Sequence, residues 1–125
     1  MKPGARGVAR IVDATRYSMQ GIRAAWQHEA AFRQEAMITV VGIPLALWLA
    51  RDIVEFLLLV VPLLLMLMAE LINSAIEAVV DRVGSEHDVL SGRAKDMGSA
   101  VVFMSLLIAG LSWLCILAGR FLFNM

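Results

Sequence analysis

Apolar residues along the chain fall into blocks of different period. In the first, Val8, Ile11, Val12, Thr15, Met19, Ile22 and Trp26 recur at spacings of three and four, flanked by Arg6, Arg10, Arg16 and Arg23. This pattern predicts a basic amphipathic helix over about 6–28, lying on a membrane surface with Trp26 at headgroup level. Later blocks are apolar all round. Residues 97–119 carry no charge and as a helix would extend about 34 Å, against a hydrocarbon core of about 30 Å. Residues 56–69 are apolar and continue helically through Glu70, Asn73 and Glu77, predicting a second span over about 56–80. The stretch 36–50, which holds Gly42 and Pro44, reaches spanning length only by starting near Ala30 and including Arg33, Gln34 and Glu35. Their long side chains snorkel to the interface, which gives a span over about 30–50. The expected fold is all-α, a surface helix followed by three transmembrane helices. With no repeat and no linker, the chain reads as a single domain over 1–125.

Composition agrees with this pattern. The chain has 125 residues, 60% of them hydrophobic and 18% charged, and a mean hydropathy of +0.77, which excludes intrinsic disorder and points to a membrane protein. Eleven basic and eleven acidic residues cancel, so no global field favours a nucleic-acid partner. Their placement is uneven. Six Lys and Arg lie at or before Arg33, at the start of the first span, one lies in the 51–55 turn, three lie in the 81–96 loop and one follows the last span. Nine against two puts the N-terminus and the 81–96 loop in the cytoplasm, with the 51–55 turn and the C-terminus outside. Charges also interrupt the first thirty residues, so no cleavable signal is expected. Cys115 is the single cysteine, which excludes an intrachain disulfide or a multi-cysteine metal site.

The second span carries candidate chemistry. At about 100° per residue, Asn73, Ser74, Glu77 and Asp81 all fall within about 60° of Glu70, forming one polar face. A charge near the middle of a spanning helix costs about 2.5–3.5 kcal/mol on insertion scales. The face is therefore either functional or a polar seam closed by Arg33 or Lys95. With the outer boundary near Phe56, Glu70 lies about 21 Å inward and Glu77 about 31 Å. Glu70 is then placed as a general base for a lipid hydroxyl. Glu77 is placed to meet Mg²⁺, which takes one or two carboxylates together with phosphate oxygens and water. The segment GSEHDVLSGRAKDMGS adds Glu86, His87, Asp88, Arg93, Lys95 and Asp96. Neither a Walker loop nor a protein-kinase Gly-rich loop occurs in the sequence. Phosphoryl transfer needs only positioning, metal and cationic charge, which this loop supplies together with Glu77 and Glu29. Arg10 and Arg23 are also suited to phosphate. His87 reads as a surface residue, and His28 and His87 lack zinc-helix spacing.

Three thin helices offer a monomer little interior in which to shield Glu70 and Asn73. Small residues at Ala75, Ala78, Gly98, Ser99, Ala100, Ala109 and Gly110 permit close helix contact, so an oligomer is expected. A competing class is a proton- or cation-coupled carrier. That reading calls for charge along the whole path, and residues 56–69 have none.

The segments EAAFRQE (29–35), ELINSAIEAVVDRVGSE (70–86) and LSGRAKDMGSA (90–100) resemble the bacterial integral-membrane diacylglycerol kinase family, and the likeness runs through nearly the whole chain. The resemblance implies a homotrimer of three-span subunits in the bacterial inner membrane, with sites shared between neighbours. The implied reaction moves the γ-phosphate of MgATP to diacylglycerol and yields phosphatidic acid. Glu70 would be the base, supported by Asn73 on the same face, and Lys95 would neutralise developing charge. Glu29 and Glu77 would be the metal-associated carboxylates. Nucleotide contacts would fall on Arg10, Tyr17, Glu86, Lys95 and Asp96, with His87 and Asp88 in the same stretch. His87-Asp88-Val89 departs from the Tyr-His-Glu run of better-known members. Lipid contacts would include Arg10, Ala14 and Ser18 within 14–19, and Arg23 and Trp26 within 23–26. Ala31 and Glu35 within 31–35, Trp48, Glu70, Ser99 and the region from Trp113 complete the lipid set. Related three-span proteins phosphorylate undecaprenol, which gives a second enzymatic reading.

Overall fold

A computed structural model describes residues 6–84 and 88–123. Four helices carry nearly all of them: α1 (Gly7–His28), α2 (Ala30–Leu49), α3 (Ile53–Val83) and α4 (Val89–Phe121). The last three are long and apolar enough to cross a membrane, and the chain is a membrane protein. α3 packs between α2 and α4, while α1 rests against α2 and α3.

Each break between helices has a local cause. Glu29 stands alone between α1 and α2 in an extended conformation, φ −120° and ψ 107°. Arg33 reaches back from α2 and donates to the carbonyls of Trp26 at 2.7 Å and Gln27 at 3.4 Å, which satisfies acceptors left open at the end of α1. Arg33 is therefore a helix cap, and not a partner of the acidic seam as the sequence allowed. At the opposite end, Asp52 caps α3 by accepting from the Glu55 N–H at 2.8 Å. Glu55 in turn accepts from the Arg51 N–H at 3.1 Å and pairs with its guanidinium at 2.9 Å. This arrangement is close to a capping box, and it gives Arg51 and Glu55 a structural role.

The predicted 81–96 loop is mostly helix. Asp81 to Val83 complete α3, and Asp88 caps α4 by accepting from the N–H groups of Leu90 at 2.8 Å and Ser91 at 3.4 Å. Polar composition suggested a loop, but an Asp cap ahead of Arg93, Ala94, Lys95 and Met97 favours a helix. With 31 and 33 residues, α3 and α4 extend about 46 and 50 Å, beyond a core of about 30 Å.

The main apolar core lies towards the other end, where Ala46, Leu49, Leu59 and Val60 pack with Phe56 and Trp113. Two polar ties hold it. The Trp113 indole N–H donates to the Leu59 carbonyl at 2.9 Å, and Arg120 donates to the Leu49 carbonyl at 2.9 Å. Gly42 lets α2 approach α3 closely, since a Cβ there would stand 2.7 Å from Leu63 Cδ1.

Candidate active site

The polar face of α3 changes character along its length. Glu70 is 6% exposed, Asn73, Ser74 and Glu77 are half-buried, and Asp81 is exposed. Opposite Glu70 stands Glu35 of α2, 8% exposed, and the two carboxyls lie close enough to act on one another. One chain is thus enough to bury Glu70, contrary to the expectation that shielding it requires an oligomer. The reason is that α2 starts immediately after Glu29 and runs beside α3 at this level. Further along α3, the Asn73 amide donates to Glu77 Oε1 at 3.2 Å. At the exposed end, Lys95 of α4 pairs with Asp81 at 2.7 Å, so Lys95 is the cation of the seam.

Three polar atoms here are enclosed without a hydrogen-bond partner: Glu35 Oε1, Asn73 Oδ1 and Ser74 Oγ. Buried polar atoms are normally paired, so this cluster can take hydrogen bonds or coordination from a ligand. Glu29, half-buried at the α1–α2 corner, and Glu77 both lie close enough for their charges to act on Glu70. Among the described residues no group of three or more His, Cys, Asp or Glu side chains is arranged to hold a metal. The two carboxylates, Glu29 and Glu77, are hard donors, and they suit a cation such as Mg²⁺ that completes its shell with phosphate and water. Beside this face, between α1 and α3, lies a groove of about 650 Å³. Ile22, Ala25, Leu71 and Ala75 form apolar walls, and Ser18, His28, Glu29 and Ser74 supply polar groups. Such a cavity fits an amphiphile.

Other predicted residues are exposed or engaged elsewhere. Arg10, Tyr17, Arg23 and Trp26 are exposed on α1, Ala14 is half-buried there, and Arg16 stacks on Tyr17 at 5.2 Å. Ala31, Asp96 and Ser99 are exposed. Trp48 is exposed thirteen residues beyond Glu35 on α2, about 20 Å along the helix. Trp113 belongs to the far core, and the Asp88 side chain is engaged as a cap. Glu86 and His87 lie outside the described residues. Sequence reasoning missed the pairing of Glu35 with Glu70 and the packing of Gly98 on Asn73. Both depend on helix register, for which residue spacing within one helix gives no signal.

Comparison with known proteins agrees with this architecture. Residues 16–117 match the family described as prokaryotic diacylglycerol kinase. Diacylglycerol kinase from Escherichia coli (strain K12) is 48% identical over 115 residues, covering 92% of this chain and 94% of that protein. The Pseudomonas aeruginosa diacylglycerol kinase is 48% identical over 116 residues, 93% of this chain and 94% of its own. The protein of the same name from Helicobacter pylori (strain 26695) is 42% identical over 120 residues, 96% and 90% of the two chains. A match to the family over most of the chain, on a fold with three membrane-crossing helices, places this protein in the prokaryotic diacylglycerol kinase family.

Proposed function

We propose that this protein is an ATP- and Mg²⁺-dependent lipid kinase that phosphorylates the free hydroxyl of diacylglycerol at the cytoplasmic face of a bacterial inner membrane. The graded face of α3 carries this reading. Glu70 is buried, Glu77 is half-buried, and Asp81 stands exposed beside Lys95. A reaction between a lipid alcohol and a water-soluble nucleotide requires that gradient. The relatives named diacylglycerol kinase support the same substrate.

Glu70 takes the proton of the lipid hydroxyl as its oxygen bonds to the γ-phosphorus, and the bond to the β–γ bridging oxygen breaks to release ADP. Glu35, beside Glu70, helps orient the hydroxyl, while the α1–α3 groove receives apolar parts of the lipid. Asn73 holds the Glu77 carboxylate in place, and Lys95 supplies positive charge to the transferred phosphoryl group. Glu29 and Glu77 would hold Mg²⁺, whose charge offsets that of the triphosphate. Arg10, Tyr17, Asp96 and the 86–88 stretch complete the nucleotide contacts in this reading. A homotrimer with shared sites is the arrangement in which Arg10 and Tyr17, exposed on α1, would be open to a neighbouring copy. Nine of the eleven basic residues on one side support a cytoplasmic N-terminus and an external C-terminus.

The test is phosphorylation of diacylglycerol from labelled ATP by purified protein in mixed micelles, with and without Mg²⁺. Glu70→Gln is expected to lower kcat by about 10²–10⁴-fold while MgATP binding persists. Wild-type turnover by that variant would remove Glu70 as the base. Faster phosphorylation of undecaprenol than of diacylglycerol would reassign the lipid.

A further inference from the structure

Gly98 of α4 is buried against α3. A Cβ placed on it would overlap Asn73 Oδ1 and would stand 3.5 Å from both Asn73 Cγ and Ile76 Cδ1. The Asn73 amide is therefore bounded on two sides. Its oxygen faces the bare α4 backbone at Gly98, enclosed and without a hydrogen-bond partner, while its nitrogen donates to Glu77 at 3.2 Å. One turn earlier on α4, Lys95 is tied to Asp81 of α3 at 2.7 Å, which holds the two helices together beside this contact.

We propose that Gly98 is a positioning residue for phosphoryl transfer: the space left by its missing side chain holds the Asn73 amide in the orientation that donates to Glu77. The inference rests on the reading of Glu70, Asn73 and Glu77 as the reacting face. Any side chain at 98 forces a movement, and the first atom met is the free end of a flexible side chain, not backbone. The least costly response is rotation of the amide, which breaks its bond to Glu77 and leaves the helices in place. Glu77 then loses the donor that fixes its carboxylate. Gly92, on the same helix, has nothing within 4 Å of an added Cβ, so an alanine there should be silent.

Gly98→Ala, Gly92→Ala, Asn73→Ala and the Asn73→Ala/Gly98→Ala double variant provide the test. Each is purified in detergent and measured for thermal unfolding, for kcat and KM, and for the ¹⁵N side-chain amide signal of Asn73 where that residue is present. Gly98→Ala is expected to unfold near the wild-type temperature, to shift the Asn73 amide signal, and to lose roughly ten- to a hundredfold in kcat, the scale of an ångström-sized misplacement. Gly92→Ala should match wild type. In the Asn73→Ala background, Gly98→Ala should cost nothing more, because the group it displaces is gone. Wild-type kcat in Gly98→Ala, an unmoved amide signal, or an equal further loss in the double variant would each overturn the proposal. If Gly98→Ala does not fold, the double variant should fold. Failure of both would make Gly98 a packing residue and overturn the inference. An Asn73→Ala variant with full kcat would remove Asn73 from the reacting face, whereas the amide signal would still report the Gly98 contact.

Discussion

Glu70 and Asp81 stand on the same face of one helix, yet burial gives them different work. Glu70, nine-tenths buried beside Glu35, sits where water is scarce, so a carboxylate there must interact with protein or ligand. Asp81 is exposed and meets Lys95 in solvent, where an ion pair contributes about 0–1 kcal/mol. Asp81→Asn should therefore change stability by less than about 1 kcal/mol, measured by denaturant unfolding in micelles. A loss several times larger would make the Asp81–Lys95 pair part of the fold. The angular spacing of these residues was legible in the sequence because a helix turns by a fixed amount per residue. Their partners were not, since Glu35, Lys95 and Gly98 come from other helices.

At the scale of elements, helix ends account for where expectation and structure part. The first two helices followed from apolar spacing and from the need to reach spanning length. The polar 81–96 stretch looked like a loop because composition was weighed above its cap, and Asp88 instead starts α4 within it. The far end depends on a tie that spacing did not reveal, the Arg120 bond to the Leu49 carbonyl at the end of α2. Removing it leaves a largely buried acceptor unpaired, so Arg120→Ala should cost about 1–3 kcal/mol in the same unfolding measurement. Arg51→Ala, which breaks an exposed pair, should cost less than Arg120→Ala. Equal losses would show that the Arg120 bond is not special.

Across the whole molecule, one chain gathers Glu29, Glu35, Glu70, Asn73 and Glu77 but leaves Arg10 exposed on α1. If Arg10 acts on a neighbour's site, as shared sites in a trimer require, two inactive proteins should complement each other. Co-reconstituting Glu70→Gln with Arg10→Ala should restore a measurable fraction of wild-type kinase activity, because some mixed sites then carry both native groups. Activity no higher than the sum of the separate variants would confine each site to one subunit.

The sequence by itself determined the membrane class, the three crossing helices, the expected sidedness and the acidic face of α3. Each is carried by hydropathy, charge placement or helical period, which are properties of consecutive residues. The tertiary structure decided which helix shields Glu70, which cation closes the seam, and where the absence of a side chain leaves room for Asn73. Those outcomes depend on the register and separation of packed helices, fixed by contacts such as Gly42 on Leu63 and Gly98 on Asn73.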